Sequence, residues 1–260
     1  MEISYRHTKY PLSPPSDLKD SLILETDKYI LKIASTNEEV ESIFRLRFEV
    51  FNLELGLGFS SSSLTSMDQD QFDAVCHHLM LICKATGKTI GTYRMQTYQM
   101  ASYNLGFDAA DIFNLQTIPH DVLQVSVEVG RACIAKEYRN IQALLLLWRG
   151  LANYLICSGN EYFFGCASLL TQCPWEAAYA YDYFQKNNWI HKNILVYPYS
   201  QYCLDMPQIC TKKYHVELPK IVQAYLSIGA KICSFPAIDQ HFKTIDFLTI
   251  SHIKDFTIWH

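Results

Sequence analysis

VSVEVGRACIAKEYRNIQALLLLW, residues 125–148, runs from a β-rich segment through a short turn into a long apolar segment with helical character. A strand, a turn and a helix start in this order are typical of loops that hold a phosphate at a helix N-terminus. Such loops usually contain several glycines, because the backbone must approach the phosphate closely. This turn contains none. The stretch therefore predicts a ligand site at the strand end that differs from an ordinary nucleotide cradle.

Glu128 and Arg131 are the charged residues of this strand. Because residues two apart in a strand share a face, Glu128 lies with the small residues Ser126, Gly130 and Ala132, and Arg131 lies on the opposite face. Small neighbours leave room for a ligand above the carboxylate. The alternative interpretation is an ion pair between Glu128 and Arg131 that holds two strands together, since such structural pairs also occur in sheets.

An earlier helix carries an arginine on its apolar face. YILKIAS, residues 29–35, predicts a strand, and Ser35 with a glutamate three residues later predicts a capping box that opens a helix to about Leu55. Arg47 falls on the stripe formed by Val40, Phe44, Phe51 and Leu55. A buried arginine must be paired or must face a cavity. The alternative is a packed stem whose charged head reaches solvent.

Composition excludes several classes of protein. The chain has 260 residues, of which 49% are hydrophobic and 18% charged, and a formal net charge of −4. These values indicate a folded globular protein and give no reason to expect a nucleic-acid partner. The N-terminal segment is polar and contains prolines, so it does not resemble a signal peptide or anchor. We expect a protein that is soluble or lies on a membrane surface.

The nine cysteines form no C-x-x-C pair. An odd number of cysteines within apolar runs indicates reduced core thiols, as in cytoplasmic proteins. Cys76, His77 and His78 are the densest group of metal-binding side chains, and without a second pair they do not predict a metal site.

Strands and helices interleave along the rest of the chain. CHHLMLICK and TIGTYRMQT predict a hairpin, and EYFFGCAS, NILVYPYS, YCLDM and IDFLTIS predict further strands. Helices are expected over PWEAAYAYDYFQKNN and over LPKIVQAYLSIGAKIC, which Pro219 opens. The predicted class is α/β (α+β) with a mixed sheet.

Five segments, in this order and spacing, resemble the GNAT-like N-acyltransferases. They are RFEVFNLELG (47–56), DQDQFDAVCHHLML (68–81), IGTYRM (90–95), VEVGRACI (127–134) and the C-terminal LPKIVQAYLSIGAKICSFPAIDQHFKTIDFLTI (218–250). The resemblance is closest to the ornithine N-acyltransferases that make lyso-ornithine lipid, because of the C-terminal segment. It is more distant to the acyl-homoserine-lactone synthases and the N-acyl amino acid synthases.

This resemblance implies a fold and a division of the chain. The fold would be a central mixed, mostly antiparallel sheet flanked by helices, with a C-terminal helix–strand extension. The predicted parts are a tail (1–28), a GNAT-like core (29–205) and an extension packed on the core (206–260).

The resemblance also implies transfer of a long-chain acyl group, with a 3-hydroxyacyl group as one form, from acyl carrier protein to an amino acid, with ornithine as the expected acceptor. Such an enzyme would serve lipid biosynthesis in the cytoplasm, in peripheral contact with the inner membrane. It would hold no permanent cofactor; the pantetheine thioester of acyl carrier protein is the donor, and acyl-CoA is the alternative donor. The rival functions are N-acylation of another amine and, in a different class, a membrane-active protein acting through the 219–233 segment.

Matching positions imply roles for individual residues. Glu128 is the expected catalytic base, and the amino acid would be bound by Arg47, Phe51, Asp70, Asp73, Arg94 and Arg131. Carboxylates suit its ammonium groups and guanidinium groups suit its carboxylate. The alternative for each aspartate is a loop or helix cap, and arginine–aspartate pairs among themselves would leave none for a substrate.

The donor site follows from the turn after the strand. Acetyl-CoA-using relatives have glycines where this sequence has Gln142 and Leu144, so a carrier protein with a single phosphate is the better fit. Lys136 and Arg139 are the expected phosphate-binding residues.

The general acid stays unassigned. The position that is a tyrosine in many GNAT enzymes is Phe184 here, and Tyr183 is a nearby candidate. Cys133 and Cys166 are interpreted as core thiols rather than nucleophiles.

Overall fold

The computed structural model describes residues 22–59, 61–207 and 217–256. The chain divides into two compact units. Unit 1 comprises residues 1–105 and 129–159, and unit 2 comprises residues 106–128 and 160–260. The strand that carries Glu128 and Arg131 crosses from unit 2 to unit 1 after residue 128. Glu128 therefore belongs to unit 2 and Arg131 to unit 1.

The strands described here alternate with helices along the chain. The strands are β1 (Leu24–Glu25), β2 (Tyr29–Ile33), β3 (His77–Cys83), β4 (Thr89–Thr97), β5 (Ser126–Ile134), β6 (Tyr162–Leu169), β7 (Lys231–Ile232), β8 (Ala237–Asp239) and β9 (Thr244–His252). The α-helices are α1 (Asn37–Arg47), α2 (Ser62–Thr65), α3 (Tyr98–Tyr103), α4 (His120–Leu123), α5 (Ile141–Cys157), α6 (Pro174–Lys186) and α7 (Lys220–Ser227).

Unit 1 contains an antiparallel meander from β1 to β4, and β5 follows β4 in the sheet order. The helix α5 packs on this meander through a glycine. A Cβ atom at Gly150 would collide with the side chain of Leu31 on β2, so the glycine allows a close approach of helix to sheet. The predicted hairpin of β3 and β4 is confirmed.

The start of α1 differs from the prediction by one residue. Thr36, rather than Ser35, is the N-cap, and its hydroxyl accepts the backbone N–H of Glu39. The Glu39 carboxylate accepts the N–H of Ser35. The reciprocal capping box predicted on Ser35 and Glu38 is therefore not formed, because the Glu39 carboxylate accepts the N–H of Ser35 instead of that of the N-cap Thr36. After Arg47 the helix continues as a π-helical segment, Phe48–Glu54, which fits the predicted end near Leu55.

Unit 2 contains the remaining strands. The first three residues of β5 pair with β6 in parallel, in the register Ser126–Glu128 to Tyr162–Phe164. The strand β9 runs antiparallel to β6 over eight residue pairs, and β7 and β8 pair with β9. The predicted C-terminal extension therefore supplies a strand that is hydrogen-bonded along the whole of β6. The helices α6 and α7 pack on these strands around Phe184 and Phe247.

Three sequence predictions in unit 2 are wrong. NILVYPYS and YCLDM form no strands; they make single bridges, such as Val196 to Ser234, and a 3₁₀ turn at Ser200–Tyr202. The helix opened by Pro219 ends at Ser227 instead of continuing to residue 233. Gly229 has φ +106°, a left-handed conformation that stops the helix, and the chain then enters β7.

The backbone of β5 departs from regular alternation at Arg131, whose φ is +49°. A non-glycine residue in this region is uncommon and interrupts the two-residue period of the strand. The predicted assignment of Arg131 to the face opposite Glu128 therefore does not follow from the strand pattern.

The α/β (α+β) class with a mixed, mostly antiparallel sheet is confirmed. Within the three described ranges, no helix combines the length and apolar character that crossing a bilayer requires.

Candidate active site

Arg47 occupies the centre of a buried ionic network in unit 1. Its side chain is fully buried, so the predicted burial is confirmed and the solvent-reaching alternative is wrong. Its Nη1 and Nη2 donate to Oδ1 and Oδ2 of Asp73 at 2.7 and 3.1 Å. Its Nε donates to Oδ1 of Asp68 at 2.8 Å. Burial opposes the charge of Arg47, but the two carboxylates outweigh it and hold its pKa above the usual value.

Asp73 joins Arg47 to a second arginine. Arg94 Nη1 lies 3.1 Å from Asp73 Oδ1 and 2.6 Å from Asp70 Oδ1. Burial alone would raise the pKa of Asp73, but Arg47 and Arg94 reverse this effect and keep the pKa far below its ordinary value. Asp73 is therefore a permanent carboxylate that neutralises two buried guanidinium groups.

Asp70 lies at the less buried end of the same network. Its Oδ2 accepts from Arg131 Nη2 at 2.6 Å, and its side chain keeps 12% exposure, against 0% for Asp73. Burial raises the pKa of Asp70, and the arginines, with Arg94 foremost, lower it by more. The Arg131 guanidinium also lies 5.0 Å from the ring centroid of Phe59, where a cation–π contact holds it.

Both aspartates also cap a 3₁₀ turn, Gln71–Val75. Asp70 Oδ1 accepts the N–H of Phe72, and Asp73 Oδ2 accepts the N–H of Asp70. Both alternatives proposed from the sequence are therefore observed, because the aspartates cap a turn and also pair with arginines. Direct binding of an amino acid by these groups remains a prediction.

Two members of the network were not predicted. Asp68 is fully buried and lies three residues before the turn. His78 on β3 is also fully buried, and its Nε2 lies 3.0 Å from the Asp73 carbonyl oxygen. The sequence signal for Asp68 was the run D-Q-D-Q-F-D, which contains three aspartates with two-residue and three-residue spacing.

Phe51 lies beside the network without joining it. It is half-buried on the π-helical segment and packs against a cluster formed by Leu46, Val50 and Cys133. Its predicted contact with a substrate is not tested by these neighbours.

Glu128 is buried in unit 2 and is held by backbone donors. Its Oε2 accepts the N–H of Asp108 at 2.9 Å, and its Oε1 accepts the N–H of Ala109 at 2.7 Å. These donors belong to the 3₁₀ turn Asp108–Asp111. The sequence did not predict this capping role.

The predicted donor residues differ in their surroundings. Arg139 makes a two-point ion pair with Glu54, with both N–O distances 2.6 Å, and its Nε donates to the Ile134 carbonyl. Lys136 is exposed and makes no ion pair with any residue that the structure describes. Asn140 caps α5 by accepting the N–H of Ala143. Lys136 is therefore the more available of the two predicted cations.

The remaining candidates behave as core residues. Burial raises the pKa of the Cys133 thiol to about 12 and the pKa of the Cys166 thiol well above its ordinary value, so both are poor nucleophiles. Phe184 is fully buried, whereas Tyr183 is 42% exposed and contacts Trp189 edge-on. Over the described ranges, no group of three or more His, Cys, Asp or Glu side chains is arranged to hold a metal ion.

Residues 46–149 match the model of the Acetyltransferase (GNAT) domain. The chain is 28% identical over 239 residues to a protein from Brucella abortus named L-ornithine N(alpha)-acyltransferase, covering 86% of this chain and 84% of that relative. A protein of the same name from Rhizobium meliloti is 27% identical over 251 residues, covering 92% of this chain and 83% of the relative.

A solved structure that aligns with this chain is that of an N-acyl amino acid synthase from uncultured soil microbes. Its TM-score is 0.48 at 10% identity, covering 88% of this chain and 93% of that one. The predicted resemblance to GNAT-like N-acyltransferases, with the ornithine enzymes as the nearer group, is confirmed by the domain and the relatives.

Proposed function

We propose that this protein, which carries a GNAT domain match and aligns with ornithine N-acyltransferases, transfers a fatty acyl group to the α-amino group of ornithine in lyso-ornithine lipid synthesis. The observation that carries the proposal is the length of chain over which this protein aligns with the two ornithine acyltransferases. The domain match ends at residue 149, whereas the alignments with the two ornithine acyltransferases cover 86% and 92% of the chain. The similarity therefore includes residues of the C-terminal part, beyond the acyltransferase domain that many enzymes share.

The proposed chemistry needs a base for the amine. An amine with a pKa near 9 is mostly protonated at neutral pH, and removing its proton costs about 2.7 kcal/mol at about 1.36 kcal/mol per pKa unit. A positioned base contributes about 10²- to 10⁴-fold. Glu128 is the proposed base, directly or through a water molecule. The N–H groups of Asp108 and Ala109 hold its carboxylate in one orientation, and this fixed position is what a general base requires.

The buried network around Arg47 and Asp73 is proposed to hold the residues of the amino-acid site in position. Arg47 and Asp73 are fully buried and satisfy each other, so they hold α1 against the 3₁₀ turn. Asp70 and Arg131 retain some exposure and form the end of the network that a substrate could reach. In this proposal an incoming ammonium group meets Asp70 and an incoming carboxylate meets Arg131 or Arg94.

Acyl carrier protein is the proposed donor, with acyl-CoA as the alternative. Gln142 and Leu144 stand where a pyrophosphate cradle needs glycine, and Asn140 already accepts one of the first N–H groups of α5. Fewer backbone N–H donors of this helix terminus therefore remain for a pyrophosphate, whereas a single phosphate needs fewer donors. Lys136 is the proposed phosphate contact. Arg139 would contribute only by sharing its guanidinium between the phosphate and Glu54.

The acyl group is proposed to be long, which implies that the protein acts at a membrane surface. A long acyl chain on ornithine gives an amphiphile that partitions into membranes. Leu53, Leu55 and Leu64 are exposed on neighbouring segments of unit 1, and Leu64 has 90% exposure. These leucines support the proposal of peripheral contact with the inner membrane, which co-sedimentation with anionic and neutral vesicles would test.

The function is tested with purified protein, acyl carrier protein thioesters and a panel of amines that contains ornithine, lysine, glycine and homoserine derivatives. Mass analysis of the products is expected to show N-acylornithine as the best product. A higher kcat/KM with another amine would assign the protein to a different N-acyl amino acid synthase activity. Leakage of liposomes without any acylation would favour the membrane-active alternative.

A further inference from the structure

A groove on unit 2 lies apart from Glu128 on the same sheet. Its volume is about 460 Å³, a size at which proteins bind small molecules, and all of its lining residues belong to unit 2. Ile250 lies in the groove and pairs with Phe164 of β6 and with Lys231 of β7. Phe164 in turn pairs with Glu128 of β5. Lys231 is therefore three strands away from Glu128, a distance of roughly 14 Å at the usual strand spacing.

Backbone contacts fix the walls of the groove. The N–H of His191 donates to the Ile232 carbonyl at 2.7 Å, which ties the segment after α6 to β7. Gly229 packs against the segment after β9, where an added Cβ would lie 2.6 Å from the backbone oxygen of Asp255. A glycine permits this close approach. His191, Lys231 and Asp255 are therefore held around one depression of the surface.

The ring of His191 presents a fixed donor to the groove. Its Nδ1 accepts the N–H groups of Asn193 and Ile194 at 3.2 and 2.9 Å, so the ring proton is on Nε2. Burial lowers the pKa of His191, which favours the neutral ring, and Asp255 opposes this effect only in part. No residue that the structure describes accepts a hydrogen bond from Nε2. This N–H group is therefore available to a ligand.

Two lysines place positive charge in the groove. Lys231 Nζ donates to the Asn188 carbonyl at 3.0 Å, which leaves two of its three protons. Lys192 is exposed, and neither lysine forms an ion pair within the described part of the chain. Asp255 is the carboxylate of the lining. Two ammonium groups against one carboxylate leave the lining with an excess of positive charge.

This donor set indicates the class of ligand. Available N–H groups and an excess of positive charge suit an anion. The sequence of unit 2 contains no arginine, the side chain whose forked donors match a planar carboxylate. Lysine acts as a point charge, which suits the several oxygens of a phosphate group. Tyr162 and Ile250 add apolar surface to the lining, so the phosphate is expected to carry an organic group.

We propose that this groove is a binding site for a phosphate ester, in which Lys192 and Lys231 neutralise the phosphate and His191 Nε2 donates to it. Tyr162 and Ile250 contact the organic part of the ligand. The phosphate belongs either to a soluble ester or to the headgroup of an anionic phospholipid, since both present the same group to the lysines. The site lies apart from Glu128, and its ligand binding does not depend on acylation of ornithine.

The test is titration calorimetry at constant ionic strength with two probes, glycerol 3-phosphate and the short-chain phospholipid dihexanoyl phosphatidylglycerol in monomeric form. The parent protein is expected to bind at least one probe saturably. Lys192→Gln and Lys231→Gln should each raise Kd by at least about threefold, and the double variant by at least about tenfold. Lys192→Gln is expected to fold like the parent, because Lys192 is exposed and forms no ion pair in the described ranges.

Lys186→Gln is the matched control, since Lys186 is also an exposed lysine of unit 2 but pairs with Asp182 on α6, outside the groove. It should keep the parent's Kd. Tighter binding of the phospholipid would identify a headgroup as the ligand, and tighter binding of glycerol 3-phosphate a soluble ester. The proposal is overturned if the parent binds neither probe, if the double variant keeps the parent's Kd, or if Lys186→Gln weakens binding as much as Lys192→Gln.

Discussion

Arg47 and Asp73 form a two-point ion pair in which both side chains are completely buried, with N–O distances of 2.7 and 3.1 Å. Burying two charges is costly, and the cost is offset only when geometry and further hydrogen bonds are good. Here Asp68 Oδ1 accepts from Arg47 Nε and lies 2.6 Å from Nη2, and Asp73 also receives Arg94. The pair is therefore part of a network in which removal of one member leaves several charges unsatisfied.

The first prediction concerns this network. Arg47→Met should lower the free energy of unfolding by about 3–5 kcal/mol, because the buried Asp68 would lose its arginine and Asp73 would lose one of its two. Arg47→Lys should cost less, since the charge remains but the forked donor set is lost. Double-mutant cycles of Arg47 with Asp68 and with Asp73, followed by denaturant unfolding, should give coupling energies above about 1 kcal/mol for both pairs.

Arg45 supplies the control for Arg47. It lies on the same helix, its side chain is 55% exposed, and it approaches Glu41 only at 3.8 Å. Arg45→Lys should change stability by less than about 0.5 kcal/mol and leave acylation unchanged. Coupling energies near zero together with normal activity in Arg47→Lys would contradict the structural importance of the network.

The sequence predicted the burial of Arg47 because helical spacing alone places it on the apolar stripe. It also predicted the β3–β4 hairpin from strand periodicity, and it gave arginine–aspartate pairs as an alternative to substrate binding. Asp68 was not predicted, since its contact with Arg47 depends on how the chain turns after α2. Residues 193–206 could not be predicted for the same reason. They pair with distant residues through single bridges, and such bridges produce no periodic pattern in the sequence.

Two features of the candidate site could not be predicted from residue types. The positive φ of Arg131 breaks the alternation that would place it opposite Glu128, and no local signal marks it. The hydrogen bonds from Asp108 and Ala109 to Glu128 join segments 19 and 20 residues apart. Sequence reasoning therefore identified the charged residues, whereas their partners required the folded backbone.

The second prediction concerns Glu128. Glu128→Gln should lower kcat by about 10²-fold or more with ornithine, because the amide cannot take a proton. It should also lower the free energy of unfolding by about 1 kcal/mol, since one of its two backbone hydrogen bonds loses a carboxylate acceptor. Steady-state kinetics and denaturant unfolding of the same preparation separate the two effects.

Asp239→Asn is the matched control for Glu128. Asp239 also lies in unit 2, and its Oδ1 accepts two backbone N–H groups, those of His241 and Phe242. This variant should lose no more stability than Glu128→Gln, because the asparagine oxygen can still accept both N–H groups, and it should keep the parent's kcat. A Glu128→Gln rate within a few-fold of the parent would make Glu128 a capping residue and would exclude it as the base.

The third prediction concerns the donor. Acyl carrier protein thioesters should give a higher kcat/KM than the matching acyl-CoA. Lys136→Glu should lower kcat/KM with the carrier thioester by about tenfold and reduce its sensitivity to salt, since an exposed cation near the phosphate would be lost. Arg139→Glu should have a larger effect, because it also breaks the pair with Glu54.

A charge exchange separates pairing from phosphate binding at Arg139. The double variant Glu54→Arg with Arg139→Glu keeps an ion pair while moving the positive charge to the π-helical segment. It should recover the stability lost in Arg139→Glu but not the use of the carrier thioester. Equal or better kinetics with acyl-CoA in the parent protein would refute the proposed donor.

The last prediction uses Asp246, a buried carboxyl group on β9 of unit 2. Burial raises its pKa from 3.8 to about 6, although Thr244 Oγ1 donates to its Oδ1 at 3.0 Å. Because the folded state holds the proton more tightly than the unfolded state, this group supports folding below pH 4. Its contribution is lost as the pH rises through 6.

Asp246→Asn keeps an acceptor for Thr244 and removes the titration. The variant should match the parent's stability near pH 4 and exceed it by roughly 3 kcal/mol at pH 7, from about two pKa units at about 1.36 kcal/mol each. Urea unfolding at several pH values measures this difference. Asp121→Asn, at an exposed position of the same unit, should change stability little throughout this range. A difference between Asp246→Asn and the parent that does not grow between pH 4 and pH 7 would show that Asp246 stays ionised in the folded protein.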